Sequence, residues 1–121
     1  MALSLKIIGP ANTGVVNAFT FYPGEERIFR AQVFDLDNGA PFAIPDGSTK
    51  TLFLPGTPTD LEISDGSITI DASDKSIFSC NLTEVQTAQM TSGDVRFQFI
   101  SSGVTRIAYR EMGASRLNMV V

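Results

Sequence analysis

Two segments of strictly alternating sequence, residues 76–82 and 94–99, constrain the fold of this chain most strongly. In both segments every second residue is apolar, and the residues between them are mostly polar. A period of two places one face of a β-strand in the core and the other toward solvent. The side chains expected to face the core are Phe78, Cys80, Leu82, Val95, Phe97 and Phe99.

The residues between these two segments predict a short helical turn over 83–90. Thr83 and Gln86 have the spacing of a capping box, in which each side chain bonds the other residue's backbone N–H. Val85 and Ala88 are expected to lay the turn against the core. Two strands joined through a short helical corner are typical of immunoglobulin-like sandwiches.

The rest of the chain repeats the pattern of short strands separated by Gly, Asp and Pro turns, which is typical of all-β sandwiches and barrels. The sharpest break in the strand pattern is the Pro-Gly-Thr-Pro segment at residues 55–58, which is too short for a domain linker. We therefore predict an all-β, immunoglobulin-like antiparallel β-sandwich that forms a single domain over residues 1–121. Its further strands are predicted at residues 2–8, 15–22, 25–36, 50–54, 61–63, 67–71, 105–110 and 116–121.

The segment 25–36 is the longest predicted strand, with Phe29, Ala31 and Val33 on its core side. Because both of its faces carry apolar residues, we expect it inside a sheet. Asn38 and Gly39 follow it, and this dipeptide favours the positive φ angles of a type I′ hairpin turn.

Composition and charge disfavour two classes of partner. With 9 basic and 13 acidic residues, the net charge of −4 provides no basic footprint for nucleic acid. The apolar runs are shorter than the roughly 18 residues of a membrane span. The first residues lack the pattern of a secretion signal. We expect neither nucleic acid nor membrane as a partner.

The residues that usually carry enzyme chemistry are scarce. The chain has no histidine and one cysteine, which removes Ser-His and Cys-His pairs and the usual zinc sites. Cys80, on the core side of its strand, is expected to be an inert small hydrophobe. We therefore assign no catalytic, metal or cofactor residue and predict a protein that is not an enzyme.

Acidic residues gather in two parts of the sequence. Asp35, Asp37 and Asp46 lie around the Asn38-Gly39 turn, where a calcium site is one alternative, although the spacing does not match an EF-hand loop. The second group is expected to protect exposed strand edges and keep the fold soluble. It consists of Asp60, Glu62, Asp65, Asp71 and Asp74.

The order of these segments carries a resemblance. A long strand ending in a turn (29–39), a short strand (50–54) and the strand–corner–strand unit (76–99) resemble the N-terminal immunoglobulin-like domain of bacteriophage upper baseplate proteins, over roughly residues 16–121. The resemblance implies a virion component that docks onto a tail or baseplate. It further implies other virion proteins or copies of itself as partners, and a location in the virion, or in the host cytoplasm before assembly.

Three functions are weighed, of which the least favoured is an enzyme with a cleft where two acidic residues converge. The first is a structural assembly protein of a phage tail, neck or baseplate, and the alternative is a carbohydrate-binding or adhesion module. The alternative predicts Tyr22 or Tyr109 beside Asn and Asp side chains in one groove. For assembly, the candidate interface residues come from segment 41–45, loop 55–58 and the last strand, whose edges either accept another chain or are shielded by their own. They are Phe42, Pro55, Leu117 and Met119.

Overall fold

The computed structural model describes residues 2–9, 19–110 and 117–119. Within these ranges the chain forms ten β-strands, one α-helix and one 3-10 turn over Asp65–Ser67. The helix, α1, has six residues, and no helix of the described residues is long and apolar enough to cross a membrane. In chain order the elements are β1 (Leu3–Ile8), β2 (Phe19–Phe21), β3 (Arg27–Asp35), β4 (Thr49–Leu54), β5 (Leu61–Ile63), β6 (Ile68–Ile70), β7 (Ile77–Leu82), α1 (Glu84–Gln89), β8 (Arg96–Ser101), β9 (Val104–Arg110) and β10 (Leu117–Met119).

Eight strands form one continuous sheet in the order β5-β4-β8-β9-β1-β3-β7-β6. The sheet folds over at β1, which pairs with β3 on one side and with β9 on the other. The rings of Phe78 on β7 and Phe97 on β8 stack with centroids 4.0 Å apart, although their strands lie four places apart in the sheet. The two halves therefore face each other across a shared core.

The strand order is that of an immunoglobulin-like sandwich. Leaving out β2 and β10, the strands named A to G in chain order give one half A-B-E-D (β1, β3, β7, β6) and the other C′-C-F-G (β5, β4, β8, β9). We call these halves the ABED sheet and the C′CFG sheet. Helix α1 joins β7 to β8 and so carries the chain from the first sheet to the second. The predicted all-β, immunoglobulin-like sandwich with a helical corner is confirmed.

Two strand pairings differ from the antiparallel expectation. β1 runs parallel to β9 over Leu3–Leu5, and the separate pair of β10 and β2 is also parallel. β1 lies where the sheet folds over. Its second edge therefore meets β9, the last strand of the C′CFG sheet, and the two strands run in the same direction. The predicted strand 15–22 corresponds to β2, and residues 10–18 lie outside the described residues.

The predicted core positions are buried. Strand β3 lies between β1 and β7, and its residues Phe29, Ala31 and Val33 are fully buried, as expected for an interior strand. The alternating residues of β7 and of the β8 segment also face the core, each with at most 3% of its surface exposed. Period-two patterning therefore predicted the inner faces of both sheets.

The helical corner is oriented differently from the prediction. The capping box of Thr83 and Gln86 is present, but Val85 is 70% exposed and Ala88 is also exposed. Thr87 and Met90 face the core instead. The Thr87 hydroxyl donates to the Glu25 carbonyl at 2.7 Å, so a polar side chain is buried at little cost.

The turn after β3 is not of type I′, which needs a positive φ at both central residues. Gly39 has φ 73°, but among the described non-glycine residues only Ser102 has a positive φ. The Asp35 carboxylate and carbonyl accept the N–H groups of Asp37 and Gly39, which builds a wider loop. The left-handed pair lies at Ser102 and Gly103 instead, with φ 52° and 77°, in the hairpin of β8 and β9.

Candidate protein–protein interface

The four residues predicted from sequence as interface positions lie at opposite ends of β8. Phe42 is half-buried, and its ring centroid lies 6.1 Å from that of Phe99. Pro55 packs at the other end against Gly93, where an added Cβ would lie 3.0 Å from the Pro55 Cβ. The carbonyl of Pro55 accepts the Thr91 N–H at 3.0 Å. Both side chains are thus engaged by their own chain.

The last strand is shielded by its own chain as well. Leu117 is fully buried and exchanges two backbone hydrogen bonds with Gly93, each 3.0 Å long. Met119 packs against the core, and its N–H donates to the Ser92 hydroxyl at 2.8 Å. Alternation showed that this segment is a strand, but it could not show what pairs with its edges. The described part of β10 offers no free edge beside Gly93.

A different surface, the outer face of the C′CFG sheet, has the features of an interface. Glu62, Phe53, Arg96 and Tyr109 are direct partners on neighbouring strands and form one row across the sheet. The Arg96 guanidinium carbon lies 4.3 Å from the centre of the Phe53 ring. Tyr109 is 57% exposed. This row therefore carries an exposed tyrosine and an arginine that covers a half-buried phenylalanine ring.

Two further rows complete this surface, which we call the C′CFG face. Ile100 is 37% exposed and Ile107 is half-buried, so apolar side chains extend along the strands. Within the part of the chain that the structure describes, the side chains of Thr51, Gln98 and Thr105 make no hydrogen bond. The face consists of the row above together with Thr51, Gln98, Ile107, Thr49, Ile100 and Thr105.

Two polar side chains on the outer face of the ABED sheet, Arg30 and Gln32, are engaged internally. Arg30 donates to the Gly9 carbonyl at 2.6 Å and lies 3.8 Å from the Asp71 carboxylate. The Gln32 amide donates to the Ser76 hydroxyl at 2.9 Å, and that hydroxyl donates to Asp74 at 2.5 Å. Arg30 and Gln32 are therefore less available to a partner, whereas Thr69, Ser79 and Asn81 on the same face make no described side-chain bond.

Two shallow depressions lie on the ABED side of the molecule. One, of about 330 Å³, is lined by Glu26, Arg27, Ile28, Asn81 and Leu82. The other, of about 260 Å³, is lined by Ser67, Thr69, Ser79, Cys80 and Asn81. Neither is lined by Tyr22 or Tyr109, whose presence in a groove the ligand-binding alternative predicts. That alternative stays a prediction.

The acidic side chains serve mainly as local hydrogen-bond acceptors. Asp65 accepts the Lys50 ammonium at 2.8 Å and its backbone N–H at 2.9 Å, and these bonds lower the pKa of the Asp65 carboxyl. Asp71 accepts the N–H groups of Ser73 and Asp74, which fixes the turn before β7. Among residues 2–9, 19–110 and 117–119, no three His, Cys, Asp or Glu side chains converge as metal ligands.

The single cysteine is placed as its pattern predicted. Cys80 is 3% exposed within the ABED sheet, and its thiol has no disulfide partner. Burial raises its pKa to about 12, because the desolvated thiolate is disfavoured. At neutral pH the side chain is therefore a protonated hydrophobe, consistent with the inert role inferred from its position.

Comparison with known proteins adds little to these observations. No protein-family model matches the chain, and no curated protein matches it. Among solved structures, it is similar to an immunoglobulin-domain chain in "Dpr2 Ig1-Ig2 in complex with DIP-Theta Ig1-Ig3", at 13% sequence identity and a TM-score of 0.44. The match covers 98% of this chain and 35% of that chain. Because the likeness is this distant, the fold assignment rests on strand order.

Proposed function

We propose that this protein is a non-enzymatic assembly module that binds other proteins through the C′CFG face. The observation that carries the proposal is the outer row of this face, where exposed Tyr109 lies beside Arg96 and Arg96 covers the Phe53 ring. Tyrosine, phenylalanine and arginine are enriched where proteins bind one another, and tyrosine and arginine often carry much of the binding energy.

The polar residues of the face support the same function. Thr51, Gln98 and Thr105 lie between the apolar side chains, and no described residue bonds their side chains. Such groups can form hydrogen bonds across an interface without first breaking bonds in the monomer. The ABED face, with Arg30 and Gln32 already bonded, would have to give up internal contacts to do so.

The setting of the proposal comes from the sequence resemblance to the N-terminal domain of phage upper baseplate proteins. In that setting the chain is a virion component of a tail, neck or baseplate, and its partners are other virion proteins or further copies of itself. The sandwich supplies a rigid support, and the C′CFG face holds neighbouring subunits in position.

The proposal is tested by incorporation into particles. Virions of a phage that encodes the chain are purified on a gradient, and the chain is quantified by mass spectrometry. Wild type is expected in the particles, whereas Tyr109→Lys is expected to be reduced at least tenfold, because it places a charge where an aromatic contact is needed.

The matched control is Thr69→Lys, which adds the same charge at an exposed position on β6 of the ABED sheet. This variant is expected to enter particles like wild type. Circular dichroism of both purified variants checks that each is folded. Absence of the wild-type chain from particles, or equal incorporation of folded Tyr109→Lys, would overturn the proposal.

A further inference from the structure

We infer that the occupant of the C′CFG face is a second copy of this chain, bound about a two-fold axis so that Glu62 of each copy pairs with Arg96 of the other. The inference rests on the proposed function, since it names the partner of the same face. It follows from the order of side chains across the sheet and from their charges.

The geometry begins with the cross-strand row. Glu62 and Arg96 are both direct partners of Phe53, one on β5 and the other on β8. Neighbouring strands lie about 4.8 Å apart, so the acidic and basic positions flank Phe53 at equal spacing on opposite sides. A two-fold axis parallel to the strands and above Phe53 exchanges these sides. It therefore sets each Glu62 opposite an Arg96, with Phe53 of each copy beneath its own Arg96 at the centre of the contact.

The charges favour this arrangement. Among the residues of the C′CFG face, Glu62 is the one acid and Arg96 the one base. In the described residues neither side chain forms an ion pair, since about 9.6 Å of sheet separates their strands. A surface with one charge of each sign on either side of its centre is complementary to itself, so a copy of this chain satisfies both charges.

The position of the guanidinium also fits a shared interface. Arg96 lies over the Phe53 ring, so it covers the outer side of the sheet where a partner would dock. A carboxylate arriving from the partner meets this cation while the ring below keeps it in place. The exposed Tyr109 on β9 lies outside the strands that overlap about this axis, at the rim of the contact.

The area of the face sets the expected strength. The three strands that overlap about this axis, at about 4.8 Å, and six residues at about 3.3 Å give a surface of about 14 Å by 20 Å, or about 300 Å² per copy. This is well below the roughly 800 Å² per partner of a standard interface, so a single contact is weak and transient. Many such contacts acting together would be strong within a multi-copy assembly.

Charge exchange tests the inference on the full-length chain. Sedimentation equilibrium over a wide concentration series is run on wild type, Glu62→Arg, Arg96→Glu, and an equimolar mixture of the two variants. Wild type is expected to form a weak dimer. Each single variant is expected to dissociate about tenfold or more readily, because it places like charges together at both contacts.

The equimolar mixture is the decisive measurement, because it combines only the two variants that are also measured separately. In a mixed dimer, one copy contributes two arginines and the other two glutamates, so both contacts become attractive. Its association is expected to equal or exceed that of wild type. The double variant Glu62→Arg/Arg96→Glu should likewise recover the dimer, and added salt should weaken every species held by these pairs.

Several outcomes would overturn the inference. A wild type that stays monomeric at all concentrations would do so, as would a folded mixture that associates no better than its separate components. Thr69→Arg on the ABED sheet serves as the control and should leave the dimer unchanged. If dimerisation fails while Tyr109→Lys is still lost from particles, then the face binds a different virion protein and the proposed function stands.

Discussion

The two outer faces of the sandwich are built from the same kind of strand but differ in the bonding of the polar residues on their central strands. On the ABED sheet, Arg30 and Gln32 bond to neighbouring loops and so tie the strands to the chain around them. On the C′CFG face, Gln98 and Thr51 make no bond to the described residues, and Tyr109 is open to solvent. Arg30 and Gln32 thus stabilise the monomer, whereas Gln98 and Thr51 bond nothing within its described part.

The largest expected effect concerns the core that supports both faces. Phe97→Asp places a carboxylate where Phe97 stacks on Phe78, fully buried between the two sheets. Because a buried charge without a partner costs several kcal/mol, the variant should not fold. Loss of the strand signal in circular dichroism would show this. A cooperatively melting Phe97→Asp would mean that the sheets do not depend on this stack, and the comparison of their outer faces would lose its basis.

A smaller effect, on the free energy of unfolding, should distinguish the two outer faces. Ser76→Ala removes a buried hydroxyl that bonds both Gln32 and Asp74, and should lower the free energy of unfolding by about 1–3 kcal/mol. Thr105→Val removes a hydroxyl on the C′CFG face that makes no described bond, and should change it by less than about 0.5 kcal/mol. Urea unfolding measures both. Equal losses would contradict the division of roles between the faces.

The smallest expected effect on stability concerns Asp65, in the turn that joins the edge strands β5 and β6. The folded pKa of Asp65 is lowered below its unfolded value, near 3.8, chiefly by the hydrogen bond from the Lys50 side chain. Its contribution to stability is therefore present above the unfolded pKa and lost as pH falls through the folded pKa. Asp65→Asn should flatten the acid limb of the stability–pH curve slightly. NMR titration of the Asp65 carboxyl should give a pKa that rises toward 3.8 in Lys50→Met.

Local patterns predicted the strands better than they predicted turns and corners. The inward residues of β3, β7 and β8 follow from period-two alternation, because every second residue of a half-buried strand faces the core and is apolar. The orientation of α1 did not follow, since the buried Thr87 hydroxyl donates to the carbonyl of Glu25, which lies 62 positions away in sequence. The type I′ turn was predicted at Asn38 and formed at Ser102, where two paired strands leave only a two-residue connection.

The candidate interface shows the same limit. The sequence placed Leu117 and Met119 on a terminal strand whose edges either accept another chain or are shielded, and in the structure Gly93 and Ser92 occupy one edge. The sequence predicted Tyr109 only as a candidate ligand-binding residue. Its position beside Arg96 depends on which strands pair and in what register, and that pairing joins segments distant in the chain.

By itself, the sequence determined the all-β class, the inner faces of the strands, the capping box at Thr83 and the inert setting of Cys80. Each of these depends on neighbours within a few residues or on burial of a regular pattern. Only the tertiary structure decided that β1 joins two sheets and that Glu62, Phe53, Arg96 and Tyr109 form one row. A row across a sheet is set by the register between strands, and register is a property of the whole fold.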